Sequence, residues 1–234
     1  MRPVALITGG ARGIGRAIAT DLAADHDIAL TWASTPPDAV LADLPQALAL
    51  RADFTDPAAA PAVVAQTVAR YGRIDVLVNN AGAITENDHA EPDLERLRAL
   101  FEVNVLAPMA LFAAALPHFG PGASVISISS VNARLPALGA PAYSASKAAL
   151  ETWTRAAAKA HGAQGLRINA VAPGAIEHPD APRPPDLLQQ FLDVTALGRA
   201  GSADDIAAAV RFLASDGARF ITGEVLTVSG GYRL

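Results

Sequence analysis

The sequence predicts a single α/β domain, and three observations support this. The 234 residues are enough for one such domain, and 51% of them are hydrophobic while only 18% are charged. Short aliphatic runs alternate with longer alanine-rich segments that carry apolar residues at helical spacing. Near the N-terminus, the apolar run 4–8 leads through a glycine-rich turn into a helical pattern. Strands and helices that alternate in this way predict an open α/β sheet.

Composition limits the function classes. The net charge is −5 without any basic block, which argues against nucleic acid or an anionic membrane as a partner. The absence of cysteine rules out disulfides, thiolate metal sites and cysteine nucleophiles. We identify neither a signal peptide nor an 18-residue membrane span and expect a cytoplasmic protein. The low charge predicts burial between subunits and therefore an oligomer.

The first functional pattern is the turn from Gly9 to Gly15, between the strand at 4–8 and a helix predicted over 14–24. Its glycines, Gly9, Gly13 and Gly15, permit a tight turn and a close approach of the backbone to a pyrophosphate at the helix N-terminus. The spacing is Gly-x-x-x-Gly-x-Gly. A plain strand-to-helix turn is the alternative interpretation.

The second strand, predicted over 27–32, bears on the choice of cofactor. An acidic residue about 20 residues past the glycines would bind an adenosine ribose hydroxyl, but residues 31–35 contain no carboxylate. Arg12, Ser34 and Thr35 could instead bind a 2′-phosphate. The pattern therefore favours NADP over NAD, unless Arg12 is simply a solvated surface residue.

The next two strands end in polar residues. After a short helix within 36–44, a third strand over 47–51 ends at Asp53-Phe54, where Asp53 either binds an adenine amino group or caps a turn. Asp56 is predicted to be the N-cap of a helix that reaches residue 71, although Pro61 could shift its start. The strand 74–78 ends in Asn79-Asn80-Ala81-Gly82, which suits either a loop against a ribose or nicotinamide, or an ordinary turn.

A long helix is predicted from Leu94 onward, with Asn104 in its middle. Asparagine is unfavourable inside a helix unless its amide has a partner, so Asn104 either bends the helix around a bound water or is exposed. The preceding polar segment contains His89. It lacks the spacing of metal ligands and is interpreted as a solvated loop, so no metal site is predicted.

The strongest chemical pattern runs from Ser130 to Lys147. An apolar strand over 124–129 places Ser130 at its carboxyl end, where open α/β sheets bind ligands. In the helix predicted over 143–160, Tyr143 and Lys147 stand at i and i+4 and share a face. A nearby ammonium is expected to lower the pKa of a tyrosine and make it a proton donor or acceptor. A surface Tyr–Lys pair is the alternative. Lys147 and Lys159 are the only lysines among eighteen basic residues.

The C-terminal third contains a sixth strand over 166–171, then Pro173-Gly174, and then a proline-rich segment. Within about 175–200 a short apolar helix next to these prolines predicts a lid over a hydrophobic substrate, or a contact with a neighbouring subunit. A helix over 202–214 and a last strand over 224–228 complete the chain.

Taken together, these motifs resemble the short-chain dehydrogenase/reductase family over nearly the whole chain, and 3-oxoacyl-carrier-protein reductases and similar carbonyl reductases in particular. The resemblance implies a single Rossmann domain over 1–234, a seven-stranded parallel sheet with helices on both faces, and commonly a homotetramer, or else a homodimer. The matching residues are Thr8-Gly9-x-x-x-Gly13-Ile14-Gly15, Asn79-Asn80-Ala81-Gly82, Asn104, Ser130, Tyr143-x-x-x-Lys147, Pro173-Gly174, Ile221-Thr222-Gly223 and Gly230-Gly231.

The resemblance also implies roles in a hydride transfer between NADP(H), with NAD(H) as the alternative, and a ketone or secondary alcohol. Tyr143 would be the general acid or base, and Lys147 would lower its pKa and bind the nicotinamide ribose. Ser130 would hold the substrate oxygen, and Asn104 would hold a water. The implied cofactor contacts are Gly9, Arg12, Gly13, Ile14, Gly15, Ser34, Asp53, Phe54, Asn80, Ala81, Gly82, Tyr143, Lys147, Pro173, Gly174 and Ile176.

Two positions depart from the family pattern. His178 stands where the family usually has a threonine that contacts the nicotinamide carboxamide, and Ser229 replaces an aspartate before the final Gly-Gly. A non-catalytic regulator or scaffold on the same fold is the competing hypothesis, but such proteins often lose the tyrosine or lysine kept here. A sugar-nucleotide epimerase or dehydratase would need a larger C-terminal domain.

Overall fold

The computed structural model describes residues 2–86, 91–177 and 182–233. Its centre is a seven-stranded sheet with the strand order β3-β2-β1-β4-β5-β6-β7, and every neighbouring pair is parallel. This confirms the predicted fold class. The strands are β1 (Val4–Ile7), β2 (Asp27–Trp32), β3 (Leu48–Arg51), β4 (Ile74–Asn79), β5 (Phe119–Ile128), β6 (Arg167–Pro173) and β7 (Val225–Val228).

Helices cover both faces of this sheet because its buried strands are apolar on both sides. The helices are α1 (Gly13–Leu22), α2 (Asp38–Asp43), α3 (Ala59–Tyr71), α4 (Leu94–Phe101), α5 (Ala107–Ala115), α6 (Pro141–His161), α7 (Pro185–Leu192) and α8 (Ala203–Ala214). In β4, Leu77 packs into one hydrophobic cluster with α3, α5 and α6, whereas Val76 and Val78 pack into a second cluster with α1 and α8.

The strand order positions the site. The chain builds the sheet from β1 outward to β3 and then returns to place β4 on the other side of β1. The loops after β1 and β4 therefore diverge at the carboxyl edge and leave a crevice between them. The glycine turn, residues 80–82 and the end of β5 all lie at this edge.

Two local predictions need correction. Asp56 is not the N-cap of α3, because the helix begins at Ala59 and the Asp56 carboxylate instead accepts a hydrogen bond from Ala58 N at 2.9 Å. The predicted long helix is also interrupted. Between α4 and α5, residues Glu102–Leu106 form a π-helical turn that contains Asn104.

The stretch Leu94–His118 also bears on the expectation that no segment is long and apolar enough to span a membrane. Its mean hydropathy of 1.8 and its 25 residues are compatible with a membrane span by length and composition alone. However, Leu100, Val105, Leu111 and Phe112 within it are buried in the protein, and α5 packs against α3 on the sheet. We therefore interpret this stretch as a core helix pair that covers one face of the sheet.

Candidate active site

The glycine turn after β1 is held by the segment that follows β4. Asn80 Nδ2 donates to the carbonyl oxygens of Thr8 at 2.8 Å and Gly9 at 3.1 Å, and Thr8 Oγ1 accepts from the main-chain N–H groups of Asn80 and Ala81. Position 15 has to be glycine because any side chain would clash: a Cβ there would lie 2.1 Å from Gly9 O and 2.5 Å from Asn80 Nδ2. The sequence did not predict that Asn80 shapes the turn itself.

A cleft of about 480 Å³ opens above this turn. The glycines of the turn form the floor of this cleft, and at Gly15 there is no room for a side chain. Such a glycine floor suits a dinucleotide, because the backbone can approach a pyrophosphate closely. The cleft is also lined by residues that were not predicted, among them Trp32, Ile84 and Val103. Trp32 ends β2 at the carboxyl edge of the sheet, a position that indicates a ligand site, whereas nothing in the sequence marks Val103. The predicted contacts that line the cleft are Gly9, Arg12, Gly13, Ile14, Gly15, Ser34, Asp53, Phe54, Asn80, Ala81 and Gly82.

At the end of the cleft beside β2, the positively charged side chain of Arg12 borders the cleft, and residues 31–35 at the end of β2 contain no carboxylate. Arg12 and Ser34 are exposed and border the cleft, and so does Thr35. Asp53, after β3, also borders it, but its carboxylate accepts from Thr55 N at 3.0 Å and Thr55 Oγ1 at 2.8 Å. These hydrogen bonds lower the pKa of Asp53. Asp53 therefore caps a turn and faces the cleft at the same time.

The helix α6 presents Tyr143 and Lys147 on one face, one turn apart, as predicted from their spacing. Lys147 Nζ lies 5.8 Å from the centre of the Tyr143 ring and donates a 2.8 Å hydrogen bond to the carbonyl oxygen of Ile128. Lys147 is only 4% exposed, and this burial lowers its pKa to about 8. Burial disfavours the ammonium more than a single carbonyl can offset.

The direction of the Tyr143 pKa is opposite to the one expected from the sequence. Burial of the phenol raises the pKa of Tyr143, and a hydrogen bond from the Ser130 hydroxyl offsets part of this rise. The physical reason is that the Lys147 ammonium is directed toward the Ile128 carbonyl. At neutral pH the phenol is therefore protonated and able to donate.

Ser130 comes to Tyr143 from the end of β5. It is the N-cap of a short 3₁₀ turn, Val131–Ala133, and its Oγ accepts from Asn132 N at 3.1 Å. This capping bond fixes the side chain, so the hydroxyl can point at the phenol of Tyr143. The serine and the tyrosine, predicted to converge from 13 residues apart, do meet.

Asn104 is fully buried, so the alternative that it is exposed is wrong. Its Oδ1 accepts from Ala83 N at 2.8 Å, and its Nδ2 donates to Ala83 O at 2.9 Å and Ser146 Oγ at 3.0 Å. A Cβ added at Gly82 would lie 3.4 Å from Lys147 Nζ and 3.5 Å from Asn104 Oδ1. The loop after β4 therefore lies between the cleft, which Gly82 lines, and the ammonium group of Lys147.

The remaining predicted residues lie at the β6 side. Pro173 ends β6 and Gly174 follows it; neither lines the large cleft, whereas Ile176 borders a smaller cavity of about 140 Å³. A Cβ at Gly174 would lie 2.8 Å from Ser229 Cα, so the two segments pack backbone to backbone. Ser229 Oγ accepts from Tyr232 N at 3.2 Å.

His89 and His178 lie outside the described residues. Within residues 2–86, 91–177 and 182–233, no cluster of three or more histidine, aspartate or glutamate side chains could hold a metal ion. Of the predicted lid, the structure describes α7, a helix that begins at Pro185. The ring of Phe191 on α7 packs at a tilt against that of Tyr232, with 5.9 Å between the ring centres.

Comparisons with known proteins agree with this arrangement. A family model described as enoyl-(acyl carrier protein) reductase matches residues 9–233. The putative ketoacyl reductase 2 of the granaticin polyketide synthase of Streptomyces violaceoruber is 38% identical over 246 residues, covering 99% of this chain and 96% of the relative.

Two further relatives extend this picture. Meso-2,3-butanediol dehydrogenase of Serratia marcescens is 34% identical over 97% of this chain and 93% of its own. A short-chain dehydrogenase from Burkholderia cenocepacia J2315, solved in complex with NADP, superposes with a TM-score of 0.94 at 35% identity, covering 99% of this chain and 98% of the other.

Proposed function

The chain belongs to the short-chain dehydrogenase/reductase family of oxidoreductases, and on this basis we propose that it interconverts a ketone and a secondary alcohol with NADP(H). The observation that carries the proposal is the convergence of Ser130, Tyr143 and Lys147 beside the glycine-floored cleft. A protonated phenol, a fixed hydroxyl and a buried ammonium are the groups that carbonyl reduction needs.

The proposed dinucleotide site is the cleft between the loops after β1 and β4. Its glycine floor would take the pyrophosphate at the N-terminus of α1. Arg12 and Ser34 would bind a 2′-phosphate, which no carboxylate within residues 31–35 opposes. The NADP in the Burkholderia relative supports this preference, and NAD(H) is the alternative. When bound, the nicotinamide supplies or accepts the hydride.

Residues of the chain would transfer the proton and bind the substrate oxygen. Tyr143 Oη donates its proton to the carbonyl oxygen during reduction and removes it from the alcohol in the reverse direction. Ser130 Oγ donates a second hydrogen bond to the same oxygen, which stabilises the developing negative charge. Lys147, held at the Ile128 carbonyl, faces the loop at Gly82 and would bind the nicotinamide ribose. Asn104 keeps that loop in place.

For the substrate end we propose that α7 acts as a lid. Leu187 on α7 is 42% exposed and Ile84 at the cleft is 66% exposed, so both offer apolar surface to a substrate of modest size. Arg183, just before α7, donates to the carbonyl oxygen of Ile176 at 2.6 Å, which ties the lid to the segment that follows β6.

We further propose that the protein is a homotetramer or homodimer. Phe220 is fully exposed and Phe212 on α8 is 44% exposed, close in sequence to the edge strand β7. Large exposed apolar side chains and a strand at the edge of a sheet each favour association with a second copy. Light scattering coupled to gel filtration tests this, and a monomer at micromolar concentration contradicts it.

The function is tested with a panel of carbonyl compounds and both reduced nicotinamides, read by loss of nicotinamide absorbance. The panel contains 3-oxoacyl thioesters and small vicinal hydroxyketones, the chemical classes that the names of the relatives indicate. We expect turnover of at least one class with NADPH exceeding that with NADH. No turnover of any carbonyl, or of any secondary alcohol in the reverse direction, contradicts the proposal.

A further inference from the structure

Glu151 is a buried carboxylate that the proposed chemistry does not use. It lies on α6 one turn beyond Lys147 and is only 4% exposed. Burial of a carboxylate is costly unless hydrogen bonds and opposite charges replace its water. The partners of Glu151 therefore indicate what the residue is for.

The first partner is a buried serine next to the proposed site. Ser129 Oγ donates to Glu151 Oε1 at 2.9 Å, and Ser129 is 3% exposed. Ser129 directly precedes Ser130, the residue that hydrogen-bonds Tyr143. The bond therefore ties α6 to the strand end immediately before Ser130.

The second group of partners lies beyond Ser130. Glu151 Oε2 is 3.8 Å from Arg134 Nε and 3.4 Å from Arg155 Nη2. Arg134 ends the 3₁₀ turn that Ser130 caps, whereas Arg155 lies on α6 itself. Through Ser129 on one side and Arg134 on the other, Glu151 contacts the chain both before and after Ser130.

Lys147 makes a parallel connection. Its Nζ binds the carbonyl oxygen of Ile128, so two side chains at i and i+4 on α6 hold two successive residues of the strand end. The main chain here is also paired with β6, because Ser129 N donates to Val171 O at 2.7 Å. The Glu151 bond adds a contact to the Ser129 side chain, one helical turn from the Lys147 bond.

We propose that Glu151 is a positioning residue that fixes Ser130 against Tyr143 through its hydrogen bond to Ser129. The inference rests on the proposed carbonyl reduction, because its effect on turnover requires that Ser130 and Tyr143 act together on the substrate oxygen. Glu151 touches neither substrate nor cofactor in this scheme. It acts by fixing the distance and the angle between the hydroxyl groups of Ser130 and Tyr143.

The test compares Ser129→Ala, Glu151→Leu and their double variant with the conservative Glu151→Gln, which keeps an acceptor for Ser129. We expect kcat to fall about tenfold in each single variant and no further in the double variant, because both remove one interaction. Glu151→Gln should retain most of kcat. Binding of NADPH should stay within about twofold throughout, since no cleft residue is changed.

Ser124→Ala is the matched control. Ser124 is also a buried serine, but it lies in the middle of β5 and donates to the Leu213 carbonyl at 3.0 Å. It should lower thermal stability as Ser129→Ala does while leaving kcat within about twofold. Equal losses of kcat in the two serine variants, or additive losses in the double variant, overturn the inference.

A second readout does not depend on turnover. The chain has three tyrosines, so the ¹³Cζ resonance of Tyr143 can be identified by its absence in Tyr143→Phe. Its chemical shift at neutral pH reports the hydrogen bond from Ser130, and we expect it to move in Ser129→Ala but not in Ser124→Ala. An unmoved resonance overturns the inference even if the protein reduces no carbonyl, and a moved one supports it in that case.

Discussion

Lys147 Nζ donates a 2.8 Å hydrogen bond to the main-chain carbonyl of Ile128, the last residue of β5. This contact buries an ammonium at the junction of the central sheet and α6, and it holds the helix that carries Tyr143 against the strand that leads to Ser130. The same burial lowers the pKa of Lys147 to about 8 from an ordinary value of 10.5. Stability should therefore depend on pH through this one residue.

The first prediction concerns Lys147→Met. Below about pH 8 the lysine is protonated in both folded and unfolded chains, and the burial of its charge is a constant cost. Between about 8 and 10.5 the unfolded chain binds more protons, so the free energy of unfolding rises with pH. Relative to Lys147→Met, the unmodified protein should gain about 2 kcal/mol between about pH 7.5 and about pH 9.5.

Urea unfolding at the two pH values measures this gain. Lys159→Met is the control, because Lys159 is on the same helix but exposed, so its difference from the unmodified protein should not change over this range. A flat difference for Lys147→Met as well would show that the Lys147 ammonium is not desolvated.

The second prediction concerns Arg12→Ala. Arg12 is exposed at the cleft, where we propose it binds the 2′-phosphate. Its removal should weaken NADPH binding about tenfold or more and NADH binding by less than about twofold, because only the first cofactor has that phosphate. Fluorescence titration measures both affinities.

Arg16→Ala is the matched control for this change. Arg16 lies one turn further along α1, and its guanidinium pairs with Asp43 at 2.6 Å instead of bordering the cleft. It should leave both affinities nearly unchanged. Equal weakening of NADPH and NADH by Arg12→Ala would remove the basis for the NADP preference.

The third prediction concerns Gly15→Ala. The added methyl group would meet Gly9 O and Asn80 Nδ2, so either the turn must open or the Asn80 hydrogen bonds must break. We expect loss of dinucleotide binding by at least about a hundredfold, together with a lower melting temperature. Gly162→Ala, at a position open to solvent with helical backbone angles, should change neither. Normal NADPH binding by Gly15→Ala would contradict the assigned pyrophosphate floor.

Some parts of the fold and of the site could be predicted from the sequence, and others could not. Most strands were predicted closely because their buried aliphatic runs are continuous, and α6 because its apolar residues recur at helical spacing. The exception is β5, which begins at Phe119 and not at residue 124, because its first residues include glycine and proline and carry no strand pattern. The hydrogen bonds of Asn104 to Ala83 could not be predicted, since Ala83 lies 21 residues away and the π-helical turn that contains Asn104 has no signal in the sequence. The sign of the Tyr143 pKa shift likewise depends on burial and on the Lys147 bond to Ile128, which only the packed structure shows.

The last prediction concerns Tyr143→Phe. Because burial raises the pKa of the phenol, Tyr143 stays protonated through neutral pH, whereas Lys147, with a pKa of about 8, loses its proton above that pH; reduction should therefore keep its rate from about pH 6 to about pH 7 and fall as the pH rises past about 8. Phenylalanine keeps the ring but has no proton to donate, so kcat for reduction should fall by about 10²- to 10⁴-fold. NADPH affinity should change little, since Tyr143 does not border the large cleft. Steady-state kinetics with the best carbonyl of the panel and a parallel NADPH titration measure the two effects separately. Retention of most turnover with normal NADPH binding would show that another group donates the proton.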